Sequence, residues 1–164
     1  MAGIDQPNFT LIDHHGQEVS EASYPGQYLL VYFGFTHCQV ICPRSLTRLT
    51  TVLESLPDQI VTKLQPLYIT VDPERDRPDV MRRHLEEKFP RFTGLSGTPE
   101  QIESAKEAFK VFARRKPDPS DPDGYAVPHT AITYLIDPDG SYTTHWVETK
   151  TADVILTDLK QRLA

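Results

Sequence analysis

The stretch FGFTHCQVICP, residues 33–43, holds both cysteines of the chain, Cys38 and Cys42, with three residues between them. Two thiols this close can be oxidised to a disulfide or, as thiolates, clamp a soft ion such as Cu(I). A CxxC redox dithiol has one residue fewer between its sulfurs. On a helix, the wider spacing puts both cysteines on one face, about 6 Å apart along the axis. That is near the upper end of the roughly 4.4–6.8 Å between Cα atoms over which a disulfide closes. Spacing alone leaves redox cycling and metal binding open, beside a third reading of two small buried thiols next to a core strand.

A metal needs further ligands, and the chain has six histidines. His14 and His15 fall in a turn and are expected to be solvated. His37 directly precedes Cys38, so its side chain is expected to point away from that neighbour's. His84 lies on a charged helical pattern and His145 beside Trp146 in a strand, both ordinary surface or core settings. His129 differs: it follows a long Pro/Asp-rich loop and opens the strand pattern TAITYLI. In an α/β sheet that strand's start can lie beside the helix that carries the cysteines.

The elements around these residues read as alternating strands and helices. Phe9 to Ile12 is a short strand with DHHGQEVS as its turn. QYLLVYFGF is an unbroken apolar run that suits a central strand covered on both faces. Leu46, Leu49, Val52, Leu53 and Leu56 then recur at helical spacing. The helix begins near the cysteines, where a positive N-terminal end favours thiolate. LQPLYITVD is a second buried strand. RDRPDVMRRHLEEKF is a helix with Asp76 expected as N-cap and Pro78 in its first turn. FTGLSG is a strand, and TPEQIESAKEAFKVFARR is a helix with Ile102, Ala105, Phe109 and Phe112 on one stripe. Residues 114–127 read as an exposed loop. TAITYLI and YTTHWVE pair across Asp137–Gly140, and TADVILTDLKQRLA closes the chain as an amphipathic helix. The result is one α/β unit with a mixed central sheet flanked by helices.

Within VDPERDRP, Asp72 ends a strand whose C-terminal end shares a sheet edge with the cysteine stretch, where ligands of such sheets bind. Asp72 is expected either to orient His129 or a docked partner, as second carboxylates around a metal do, or simply to close a turn.

Bulk properties narrow the classes. The chain has 164 residues, a net charge of −6 and 24% charged residues without long runs of one sign. Such a surface gives nucleic acid and anionic membranes nothing to hold. Tyr28 to Phe35 is the longest apolar run and is too short to span a bilayer. Met1 to Asp5 lacks the basic start and apolar stretch of a secretory signal. The expectation is a cytoplasmic protein or one whose targeting segment has been removed.

Three blocks in this order, FGFTHCQVICP, YITVDPERDRP and VPHTAITYLIDPDG, resemble the Sco (SenC) family of copper-binding proteins, and the resemblance covers nearly the whole chain. It implies a thioredoxin-like fold over residues 1–164 with Cys38, Cys42 and His129 as ligands for Cu(I) or Cu(II). It implies a metallochaperone, not an enzyme, that helps build the CuA centre of cytochrome c oxidase, with the CuA-bearing subunit and a copper donor protein as partners. The alternative is a thiol-disulfide oxidoreductase using Cys38 and Cys42 as a redox-active disulfide to reduce the cysteines of the CuA site. A monomer is expected, held by an upstream anchor on the periplasmic side of a bacterial inner membrane or in the mitochondrial intermembrane space. Two departures from the family stand out: Gln39-Val40-Ile41 replaces Pro-Asp-Val between the cysteines, and Pro128 replaces an Asp before the histidine. Ala131 stands where related reductases place a cis-proline facing the dithiol. A peroxiredoxin-type peroxidase is excluded by its motif, since Thr36 lies two residues before Cys38 where three are required and the preceding proline is missing.

Overall fold

The computed structural model describes residues 4–36, 41–111, 116–117, 125–126 and 131–164. In chain order its strands are β1 (Thr10–Asp13), β2 (Glu18–Ser20), β3 (Tyr28–Gly34), β4 (Leu64–Thr70), β5 (Thr93–Ser96), β6 (Lys116–Pro117), β7 (Tyr125–Ala126), β8 (Ile132–Ile136) and β9 (Tyr142–Val147). All but β6 and β7 form one sheet, in the order β2-β1-β5-β4-β3-β8-β9. β3, β4 and β5 are parallel, and β1, β2, β8 and β9 join antiparallel, so the sheet is mixed as expected.

The helices are α1 (Ile41–Ser55), α2 (Asp58–Val61), α3 (Pro78–Lys88), α4 (Pro99–Phe109) and α5 (Ala152–Leu163). β3 is central because its residues are apolar on both faces. Leu30 and Tyr32 face one core, while Leu29, Val31 and Phe33 face the other. This is the alternation of a strand with two covered faces. The first core is closed by α1, α3 and α5, which contribute Leu46, Leu49, Leu53, Met81, Leu85 and Leu159. The second is closed by α4, through Ile102, Ala105 and Phe109. Phe33, Phe109 and Tyr134 meet edge to face, with ring centroids 5.3 to 6.3 Å apart. α3 lies so close on β5 that a Cβ at Gly94 would stand 2.8 Å from Leu85 Cδ1. Only glycine leaves room there.

Several local expectations change. Glu18–Ser20 is the second strand of the first hairpin, so the turn shrinks to residues 14–17, held by Asp13 Oδ1 accepting from the His15 and Gln17 N–H groups at 2.9 and 3.0 Å. The four-residue α2 precedes β4 where no helix was expected. Residues 114–127 are not structureless: β6 and β7 pair antiparallel, and the rest of that segment lies outside the described residues, as does Phe112. The N-cap of α3 is Arg77, not Asp76. Pro78 occupies the first helical position, so the cap falls on the residue before it, and Asp76 stands one place too early. α4 begins as read, with Thr98 and Gln101 forming a reciprocal capping box. It ends at Phe109, short of the expected residues 110–115, where Lys110 takes a left-handed conformation at the C-cap.

Candidate metal centre

The arrangement around the cysteine stretch follows from sheet direction. β3 and β4 are parallel and in register from Tyr28–Leu64 to Gly34–Thr70, so both end at the same edge. β8 runs against β3 and pairs Thr133 with Tyr32, so β8 begins at that edge. The chain leaves β3 toward Cys38, and Ala131, two residues after His129, leads into β8. α1 starts at Ile41, which makes Cys42 the second residue of a fifteen-residue helix. The N-terminal end of such a helix carries the partial positive charge of its free N–H groups. Cys38 and His129 lie outside the described residues, as do His37, Gln39, Val40, Val127 and Pro128; of Cys42 only the backbone is described.

Behind that edge lies a buried polar cluster. Asp72, 3% exposed, accepts from Arg75 Nε at 2.5 Å, and the Arg75 side chain is itself 8% exposed. The Arg75 guanidinium sits 5.8 Å from the centre of the Phe35 ring, three residues before Cys38. Asp72 therefore occupies the expected edge, with an arginine on one carboxylate oxygen. Its backbone N–H donates to Thr70 Oγ1 at 2.9 Å.

Asp76 is the residue that sequence reasoning misassigned. It is fully buried, and its carboxylate accepts from the Thr36 N–H at 2.9 Å, Thr36 Oγ1 at 2.5 Å and Thr70 Oγ1 at 2.8 Å. Its own carbonyl accepts from Ser96 Oγ at 2.6 Å. Burial pushes its carboxyl above the usual carboxylate range, the bonds from Thr36 and Thr70 pull it back, and the charge of Asp72 adds to the rise. The signal that could have located it was Pro78: with the cap assigned to Arg77, an aspartate between a buried strand and the start of a helix needed another set of donors.

The other histidines divide. His14 is not solvated. It is buried, and its Nδ1 accepts from the Gly94 N–H at 3.0 Å. The β1–β5 ladder ends with Asp13 opposite Leu95, so the imidazole takes the donor that the next backbone carbonyl of β1 would otherwise have met. Burial lowers its pKa, with the adjacent His15 acting in the same direction. Among the described residues, His14, His15 and Glu86 form a group whose metal-binding atoms lie within 4.8 Å of one another. The tautomer argues against coordination: an Nδ1 that accepts an N–H leaves the ring proton on Nε2, which then has no lone pair for a metal. His15 is exposed, as expected for the turn. His84 is half-buried beside Phe89, and burial lowers its pKa. His145 is partly buried, its Nδ1 bonded to the Tyr142 hydroxyl. Both fit ordinary structural settings.

Comparison with known proteins agrees with this architecture. A family model described as SCO1/SenC matches residues 3–164. The mitochondrial SCO2 homologue of Mus musculus is 40% identical over 99% of this chain and 64% of its own length. The corresponding Homo sapiens protein is 37% identical, and the chain covers 61% of it. The chain thus spans somewhat less than two thirds of these relatives. Among solved structures, Bradyrhizobium japonicum ScoI with copper bound superposes with a TM-score of 0.83 at 36% identity, covering 96% of this chain and 98% of that one. BsSco is described as a member of the Sco family of cytochrome c oxidase assembly proteins with a disulfide switch. It matches at 27% identity and a TM-score of 0.75, over 98% of this chain and 94% of its own. The fold is the thioredoxin-like one of these proteins, a mixed sheet between helices. This chain belongs to the SCO1/SenC family.

Proposed function

We propose that residues 1–164 act as a copper metallochaperone domain. It takes one Cu(I) or Cu(II) from a copper donor protein through Cys38, Cys42 and His129. It passes that ion by ligand exchange to the subunit of cytochrome c oxidase that carries CuA. Two thiolates and one imidazole form a soft donor set that suits copper in its cuprous state. The observation that carries the reading is the common sheet edge: the segment leading to Cys38 leaves β3 there, and the strand that follows His129 starts there. Copper in the related Bradyrhizobium japonicum protein supports the same cargo. Asp72 lies on this edge as the carboxylate that would orient His129 or a docked partner.

The domain works as a monomer, displayed on the periplasmic side of a bacterial inner membrane or in the mitochondrial intermembrane space by an upstream anchor. Among the described residues no helix is long and apolar enough to cross a membrane. A second reading, reduction of the CuA-site cysteines by a Cys38–Cys42 redox pair, is favoured by the disulfide switch described for BsSco.

A copper titration followed by absorption decides between them. One copper per chain with strong thiolate-to-Cu(II) absorption, lost in Cys38→Ser, Cys42→Ser and His129→Ala, supports the chaperone. Copper-free reduction of a CuA-domain disulfide that survives His129→Ala supports the reductase. Wild-type affinity and spectrum in His129→Ala would remove the histidine from the ligand set.

A further inference from the structure

Asp76 joins the ends of three parallel strands. Its side chain holds Thr36 beyond the end of β3 and Thr70 at the end of β4, while its carbonyl holds Ser96 at the end of β5. Its N–H donates to the Asp72 carbonyl at 2.9 Å, and the Val71 N–H donates to the Gly34 carbonyl at 2.8 Å. The loop after β4 is thereby tied to the strand before the cysteines. Thr36 is gripped twice, by backbone and by hydroxyl, two residues before Cys38.

A fully buried carboxylate is an unfavourable way to hold a loop if stability is the only purpose. Burial outweighs its three hydrogen bonds and leaves the ionised form worse off than in water. A raised carboxyl pKa contributes stability only below the ordinary carboxylate range, and that contribution is lost as pH rises through the folded value. What the side chain offers is geometric: two oxygens that accept from three donors, two of them on Thr36 and one on Thr70.

We infer that Asp76 is a positioning residue for the cysteine pair, a latch that fixes Thr36 and with it the direction in which the chain enters the Cys38–Cys42 stretch. It acts through the Thr36 backbone rather than on sulfur or cargo, setting how the sulfur of Cys38 meets that of Cys42. An amide reproduces it only in part. Asparagine Oδ1 can keep the Thr36 N–H and the Thr70 hydroxyl, but Nδ2 then meets Thr36 Oγ1 as a donor, so that bond is reversed and the charge is lost. The inference rests on the proposed role of the cysteines but not on which of the two readings of that role is correct.

Asp76→Asn and Thr36→Val weaken the latch from its two ends, and Ser96→Ala loosens the same loop without touching Thr36. The reduced, copper-free proteins are compared by the alkylation rate of Cys38 and Cys42 and by the reduction potential of the pair. The copper-loaded proteins are compared by affinity, and all by thermal melting. Asp76→Asn and Thr36→Val are expected to change copper affinity by about tenfold, the lower end of effects from groups one shell removed from a metal, and to alter alkylation rate and potential. Ser96→Ala is expected to lower the melting temperature and leave those three readouts at wild-type values. Wild-type readouts in Asp76→Asn overturn the inference, as do equal changes in Ser96→Ala. If Asp76→Asn does not fold, the same readouts in Thr36→Val decide. Failure of wild type to take up one copper would sink the chaperone reading alone, since alkylation and potential still test the latch.

Discussion

Two corners of this molecule gather residues that can hold a metal, and they differ in where their lone pairs point. At the β1–β5 corner, His14, His15 and Glu86 are close enough to share an ion. There the buried imidazole has committed its lone pair to the Gly94 N–H, patching a ladder that β1 no longer supplies. At the other corner, where β3 and β4 end, the buried carboxylates of Asp72 and Asp76 are taken up by Arg75, Thr36 and Thr70. That satisfied cluster adjoins the end of β3, from which the chain runs on to Cys38. Proximity of ligand types is therefore a poor guide to a metal site. The better guide is which donors the fold has already engaged.

Arg75→Ala leaves Asp72 as a buried carboxylate without its arginine and is expected to cost about 3–5 kcal/mol, the range for removing one partner of a buried ion pair. Urea denaturation checks it, and a loss below about 1 kcal/mol would mean that Asp72 is well solvated after all. Cys42→Ser is expected to weaken copper binding by more than about 100-fold, beyond what groups behind the ligands usually contribute. His15→Ala and Glu86→Gln are expected to leave stoichiometry and affinity unchanged in the same chelator competition. A second copper per chain that disappears in His15→Ala would reverse the assignment of the two corners.

His14→Ala is expected to destabilise the fold by about 1–3 kcal/mol, the penalty for a buried donor left without its acceptor, with no change in copper affinity. The smallest effect is on pH dependence. His14, His84 and His145 have folded pKa values below the ordinary histidine value, with burial as the leading cause. The unfolded chain then takes up protons first as pH falls through about 6.5. Stability is expected to be full above that value and to decline below it until the folded-state values are reached. Denaturant midpoints at pH 7.5 and 5.5 measure the drop, and the drop should shrink in His14→Ala. A higher midpoint at pH 5.5 than at pH 7.5 would contradict the direction.

Much of the fold could be read along the chain because its causes are local. The run Tyr28–Gly34 is apolar at every position but its last and became the doubly covered central strand. The capping box at Thr98 and the hairpin turn at Asp137–Gly140 formed where side chains a few residues apart satisfy each other. Residue type and spacing drew attention to both cysteines and set His129 apart from the other histidines. The resemblance carried by three motifs in order named these three as the ligand set, and the family itself is shown by the match over residues 3–164.

Tertiary structure alone decided the roles of Asp76 and His14. Each takes a backbone N–H from far along the chain, Thr36 40 positions from Asp76 and Gly94 80 positions from His14, on segments that meet only when the sheet assembles. A polar side chain in a turn has the same local signature whether water or a distant backbone N–H becomes its partner. Which it meets depends on where neighbouring strands stop, and strand ends are set by the packing of the whole sheet rather than by any stretch of the chain.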